Sequence, residues 1–298
     1  MKNNRIQLFP GLSLFLCFCL LMGSGRLAVR FGGGTPLLAA AETISFLLPL
    51  GLVLFSMRDQ KRFRNRLRLR SLSKDAILLA VELGVTAAVL SLFLNFLIFR
   101  LAGFAGADLS AIALDVPQSG MGMAARLLVI VLLSAVVEEL YLRGALFAVQ
   151  EESAGTSACL LFSGLIFAML HGSLMNFAGP LLAGIAFAYL TYVFNSVWPA
   201  ILAHVVNNLY YLFVVWITDT YAAFGIWNYF AGINLLVLLL FAYLSLRSLE
   251  KMLAREKIPH FEKSAGWYDL WLLVCNPGTA AFLLAFAANL VLKWVGPR

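Results

Sequence analysis

The chain has 298 residues, 62% of them hydrophobic and 12% charged, and a mean hydropathy of +0.89. A soluble protein of this length cannot hide that much apolar surface. Many apolar runs of 18 or more residues instead predict an all-α, polytopic transmembrane bundle of about eight or nine spans, forming one membrane domain over 1–298. The formal charge of +7 and pI of about 9.4 do not indicate nucleic-acid binding, because the basic residues gather where apolar runs end.

In chain order, the basic start "MKNNR" precedes an apolar stretch at 7–23, read as an uncleaved first helix because no convincing small-residue cleavage site follows it. A second helix is expected at 36–56. Eight basic residues then fall between Arg58 and Lys74. A third helix at 75–99 leads into the Gly-rich, mildly acidic segment 100–123, which reads as an outer loop. Helices four to eight are expected at 124–149, 157–174, 177–194, 197–217 and 226–248, with Pro199 in the first turn of the seventh. A second basic group spans Arg247 to Lys263. The run 267–275 reads as a short interfacial piece, and Asn276 as the cap of a last helix from Pro277 to Trp294. Both basic groups follow an even number of crossings, so the N-terminus is expected in the cytoplasm, with anionic lipid headgroups against the basic loops.

The run "VVEELYLRGALF" (137–148) puts Glu138, Glu139 and Arg143 inside an apolar helix. Each charge at the bilayer centre costs roughly 2.5–3.5 kcal/mol, so the three need partners or a wet cavity. Glu139 and Arg143 are four residues apart, on one helix face, where they can form an ion pair. Glu138 points about 100° away and has no obvious local partner. Two histidines also lie inside predicted spans. His171 closes "FAMLH", four residues after Phe167, and His204 opens "HVVNN", with Asn208 on the same face one turn later. His260 lies in a basic loop and is given no role. Asn208 can share a ligand with His204 or fix its tautomer, whereas Asn207 projects about 100° from Asn208.

These groups suit hydrolysis. A carboxylate in a low-dielectric site takes a proton from water, and imidazole and carboxamide groups hold the oxyanion formed at a peptide carbonyl. Glu138, His171 and His204 would equally suit a tetrahedral zinc with one open position, although HExxH is absent. The four cysteines, Cys17, Cys19, Cys159 and Cys275, all lie in apolar runs and show neither zinc-site spacing nor a disulfide framework.

"EELYLR" (138–143), "FAMLH" (167–171) and "HVVNN" (204–208) match EExxxR, FxxxH and HxxxN, in that order and each on its own span. The ordered set resembles the CPBP family, which includes the Rce1-type CAAX prenyl proteases and bacterial Abi proteins, over about 124–216 of the chain. The resemblance implies an intramembrane endopeptidase. In it Glu138 activates water, His171, His204 and Asn208 complete the catalytic site, and Glu139, Arg143 and Phe167 support it. It implies a peptide or lipidated-protein substrate, and it leaves a zinc and a metal-free glutamate mechanism both open, the metal-free one being favoured. The expected location is a bacterial plasma membrane. A non-enzymatic membrane regulator, as in bacteriocin immunity, and a proton-coupled transporter are the competing readings; the transporter lacks the expected internal repeat. Counting residues from the predicted inner ends places the site between midplane and cytoplasmic face, with a central cavity opening to the cytoplasm.

Overall fold

A computed structural model describes residues 2–31, 34–56, 67–104, 124–125, 127–221, 227–259 and 266–295. The predicted outer loop from 105 onward, most of the first basic loop and His260 lie outside these residues. The described chain is all helical: α1 (Lys2–Phe31), α2 (Thr35–Ser56), α3 (Lys74–Phe104), α4 (127–150), α5 (Thr156–Leu170), α6 (Ala178–Phe194), α7 (Trp198–Thr220), α8 (Trp227–Ala254), α9 (Trp267–Val274) and α10 (Pro277–Val295).

Among the described residues, five helices are long and apolar enough to cross a membrane: Leu8–Leu27, Thr35–Ser56, Lys74–Leu101, Trp198–Thr218 and Tyr229–Ala254. The pair α9–α10, bent by 78° at the "NPG" break, makes a sixth if it counts as one span. This is fewer than the eight or nine expected. Helices α5 and α6 have 15 and 17 residues. At 1.5 Å per residue they reach about 22 and 25 Å, short of a core about 30 Å thick. Helix α4 is not one regular α-helix. It runs as π-helix over Leu127–Leu133, α-helix over Ser134–Glu139, π-helix over Leu140–Leu146 and α-helix over Phe147–Gln150. No propensity in "LLVIVLL" or "LYLRGAL" announces this wider winding, which occurs in proteins mainly as single turns at functional sites.

Local chemistry sets the helix ends. Pro199 lies in the first turn of α7, where its missing N–H costs nothing. Asn276 Oδ1 accepts from the Thr279 N–H at 3.0 Å, capping α10 as expected. Helix α5 stops at His171 because Gly172 turns the chain at φ +62°.

Helices α3, α6 and α7 pack against one another, α5 against α6, and α1 against α2 and α10. Missing side chains permit close approaches. A Cβ on Gly84 of α3 would sit 2.6 Å from the Ala203 carbonyl oxygen of α7, and one on Gly184 of α6 would sit 2.8 Å from Gly164 Cα of α5. Tyr141, fully buried, joins α4 to two other helices: its hydroxyl pairs with Ser13 Oγ of α1 at 2.8 Å, and its ring meets Phe46 of α2.

Candidate active site

The centre of the bundle holds a buried ion pair. Arg143 Nη1 donates to Glu139 Oε1 at 2.8 Å, both side chains being 0% exposed. A free guanidinium could not remain there. Arg143 Nη2 also donates to the Gly184 carbonyl at 3.0 Å, and the guanidinium lies over the rings of Phe167 at 4.7 Å and Phe187 at 5.7 Å. The Arg143 charge is thus spread over a carboxylate, a carbonyl and two aromatic faces.

The same carboxylate oxygen reaches a second helix. His204 Nδ1 lies 2.9 Å from Glu139 Oε1. A carboxylate only accepts, so Nδ1 carries the proton and Nε2 is the free nitrogen. His171 repeats this logic with a different partner: its Nδ1 lies 2.8 Å from the Phe167 carbonyl, which also only accepts. Phe167 stands edge-on between the imidazoles, 5.0 Å from His171 and 5.5 Å from His204, and Phe187 stacks on His204 at 5.2 Å. Both rings are therefore held in one tautomer, with no partner to Nε2 among the described residues.

A cavity of about 290 Å³ lies above this layer. Glu138, Phe167, His171, His204 and Asn208 all line it. Glu139 and Arg143 sit beneath, so two adjacent carboxylates have different surroundings, one facing the cavity and one locked in the core. Asn208 does not set the His204 tautomer, as its spacing suggested; Glu139 does, because it lies within hydrogen-bond reach of Nδ1. The Asn208 amide nitrogen donates instead to the Ile130 carbonyl at 3.0 Å and to Ser134 Oγ at 3.4 Å, tying α7 to the first π stretch of α4. Ser134 Oγ itself donates to the Ile130 carbonyl.

Sequence reasoning passed over several lining residues. Asn207 faces the cavity too, and its Nδ2 is buried without a partner among the described residues. The cavity is wider than the single helical stripe that spacing can identify. Glu42 of α2 also lines it, and its buried Oε2 has no partner among the described residues. Glu42 is the only charged residue of α2, so the argument that singled out the α4 charges applied equally to it. The role of Gly184 rests on its backbone carbonyl and a missing side chain, for which a sequence carries no signal.

The cavity end differs from the expected one. Its walls come from the first halves of α2 and α6 (Leu38, Pro180), from the start to the middle of α4 (Ile130, Glu138), from the later parts of α3 and α5 (Asn95, His171) and from the middle of α7 (His204 to Tyr211). Arg68 and Lys257, by contrast, lie beside Glu151, where α4 has ended, and Asp75, where α3 begins. The cavity is therefore at the end of the bundle remote from the basic segments, not the end expected to face the cytoplasm. Because the helices differ in length and winding, distance from a predicted helix end does not give depth. The chain after His171 is held in place by α10: the Gly172 carbonyl accepts from Asn289 Nδ2 at 3.1 Å and Lys293 Nζ at 2.8 Å.

Among the described residues no three His, Cys, Asp or Glu side chains come together as a metal-ligand group. Glu138, His171 and His204 line the same cavity. All four cysteines are free.

Residues 120–210, a segment running from just before α4 into α7, match the family model described as Type II CAAX prenyl endopeptidase Rce1-like. That similarity supports CAAX-type intramembrane proteolysis in general terms and, with the apolar helices, an integral membrane protein. Comparison with curated proteins and with solved structures gives no match.

Proposed function

We propose that the chain is an intramembrane endopeptidase of the Rce1-like kind to which its residues 120–210 are similar, with Glu138 activating water without a metal. The observation that carries this reading is the set of groups on one cavity: a carboxylate, two imidazoles each held with Nε2 free, and two carboxamides. A water beside Glu138 donates one hydrogen to the carboxylate and another to an imidazole Nε2. As its oxygen attacks the peptide carbonyl, the C–O bond forms, the carbonyl π electrons move to oxygen and one water proton passes to Glu138. The uncommitted Asn207 Nδ2 is the available donor to that oxyanion. Glu138 then returns the proton to the amine nitrogen as the C–N bond breaks, giving a carboxylic acid and an amine.

Glu139 and Arg143 act through His204. They hold its ring and offset the positive charge that it gains if it takes up a proton. Asn208 holds α7 against α4. The substrate is a membrane-associated peptide or a prenylated protein tail, the class implied by the similarity. With the basic loops in the cytoplasm against anionic headgroups, the cavity opens on the opposite side, and the cleavage site is presented from there.

The test is cleavage of membrane-anchored peptides, farnesylated and acylated, by protein reconstituted in vesicles, with products identified by mass. Wild-type protein cleaves and E138Q does not; equal product from both overturns the proposal. Elemental analysis of the active protein decides the metal question. Stoichiometric zinc whose removal stops cleavage, and whose return restores it, sinks the metal-free version. In a cysteine-free background, Asn95→Cys at the cavity mouth should react with an impermeant thiol reagent added outside right-side-out cells. Reaction only after the cells are opened reverses the assigned orientation.

A further inference from the structure

Asn95 lies on α3, outside the residues that match the protease family and outside all three motifs. It nevertheless lines the same cavity as Glu138. A close approach of two helices brings it to Asn176, in the turn that leads into α6. A Cβ on Gly179 would sit 2.6 Å from Ser91 Cβ, so α6 can start against α3 there only because Gly179 has no side chain. Asn95 is one turn after Ser91, and Asn176 is three residues before Gly179. The two side chains meet: Asn95 Nδ2 donates to Asn176 Oδ1 at 2.8 Å, and both residues line the cavity.

A tie between α3 and the turn needs only that bond. It uses one end of each carboxamide and leaves an acceptor on one residue and a donor on the other. The acceptor is Asn95 Oδ1, which is buried with no partner among the described residues. The donor is the Asn176 amide nitrogen, which takes no part in the bond. A peptide entering this cavity has the complementary need. It must be unwound before a carbonyl can be attacked, and its freed N–H and C=O groups then lie where there is little water to satisfy them. In an extended chain the N–H and C=O of one residue point to the same side, as they do in the hydrogen-bonded pairs of an antiparallel ladder. An acceptor and a donor carried by two linked carboxamides match one such residue.

We propose that Asn95 and Asn176 form a clamp for the substrate backbone: Asn95 Oδ1 accepts from the N–H of one extended residue, and Asn176 Nδ2 donates to the carbonyl of the same residue. Both are then substrate-binding residues, and they set a specificity that does not depend on substrate side chains. The clamped residue must be unwound and must carry an N–H, so a helical segment, or a proline at that position, is rejected. The inference rests on the hydrolytic reading for its substrate class, but binding tests it without cleavage.

The probe is a fluorescent farnesylated peptide, together with a series in which an ester replaces one amide at a time and so removes a single N–H. Affinity is read by fluorescence anisotropy with the full-length E138Q protein in detergent, which on the hydrolytic reading binds without cutting. One ester position should weaken binding about tenfold, the scale of a lost hydrogen bond whose acceptor is left buried. With N95L added, the unmodified peptide should bind about tenfold more weakly and that ester should have no further effect, while the other esters keep theirs. A merely structural Asn95 would weaken all the peptides alike and leave the ester effect in place. N176L, in an exposed turn residue, should also weaken binding of the unmodified peptide, and this arm decides if N95L does not fold. The clamp is overturned by an ester effect that persists in N95L, by the lack of any ester-sensitive position, by N176L binding as tightly as its parent, or by no binding at all. If the expected pattern is found and the wild-type protein leaves the peptide uncut, the protease reading fails and the clamp stands. If the wild-type protein cuts it and an overturning result is found, the clamp alone fails.

Discussion

The two ends of the bundle handle charge in opposite ways. At the basic end, opposite charges pair across helix termini: Arg68 with Glu151, and Lys257 with Asp75 at 2.5 Å. At the cavity end the cation Arg143 is fully buried and consumed by Glu139 and Gly184, leaving Glu138 and Glu42 facing open space. The Lys257–Asp75 pair is largely in water, where an ion pair adds little. In the interior every charge must be matched by the fold, and a group left unmatched marks a place where the fold is not the only constraint. The proposed hydrolytic chemistry draws on the groups left facing the cavity.

Substitutions can break this contrast. The largest effect is expected for Glu138→Gln, which should lower turnover by about 10²-fold or more, the scale of a positioned general base, while leaving detergent melting unchanged. Activity assays beside thermal scans check this, and a fully active variant ends the assignment. Next is Arg143→Ala. It strands Glu139 in the core, and breaking a buried pair from one side costs about 3–5 kcal/mol. Folded yield should fall with activity, and Arg143→Lys should rescue only partly because it cannot hold Glu139 and Gly184 in one planar fork. A normally folded Arg143→Ala protein would show that the ion pair does not hold the core.

Gly184→Ala comes third. Its Cβ would press on Gly164 Cα and lie 3.2 Å from Arg143 Nη2, and overpacking of this kind costs about 1–3 kcal/mol. A lowered melting temperature with reduced turnover is expected, whereas Gly51→Ala, where a Cβ meets nothing within 4 Å, should be silent. The smallest effect is at the other end. Lys257→Ala removes a half-exposed partner of Asp75 and should change stability by no more than about 1 kcal/mol, with turnover unaltered. A loss as large as that of Arg143→Ala would erase the distinction between the two ends.

What the sequence by itself determined was everything that follows from composition and short-range spacing. Apolar runs require helices in a membrane, because backbone groups there must be satisfied internally. Four-residue spacing puts Arg143 within reach of Glu139, and Asn276 before Pro277 makes a cap. The cost of intramembrane charge marked α4, and the motif histidines lie on the cavity that it helps to form. The tertiary structure alone decided which partners lie across helices. It placed His204 on Glu139, put Glu42 and Asn207 on the cavity wall, and used a glycine carbonyl to hold a guanidinium. It also wound α4 partly as π-helix, left α5 and α6 short, and set the cavity at the end remote from the basic loops. These are long-range outcomes of packing. One sequence records the period of each helix, but not its rotation, tilt or depth against its neighbours, because those are fixed by contacts between residues far apart in the chain.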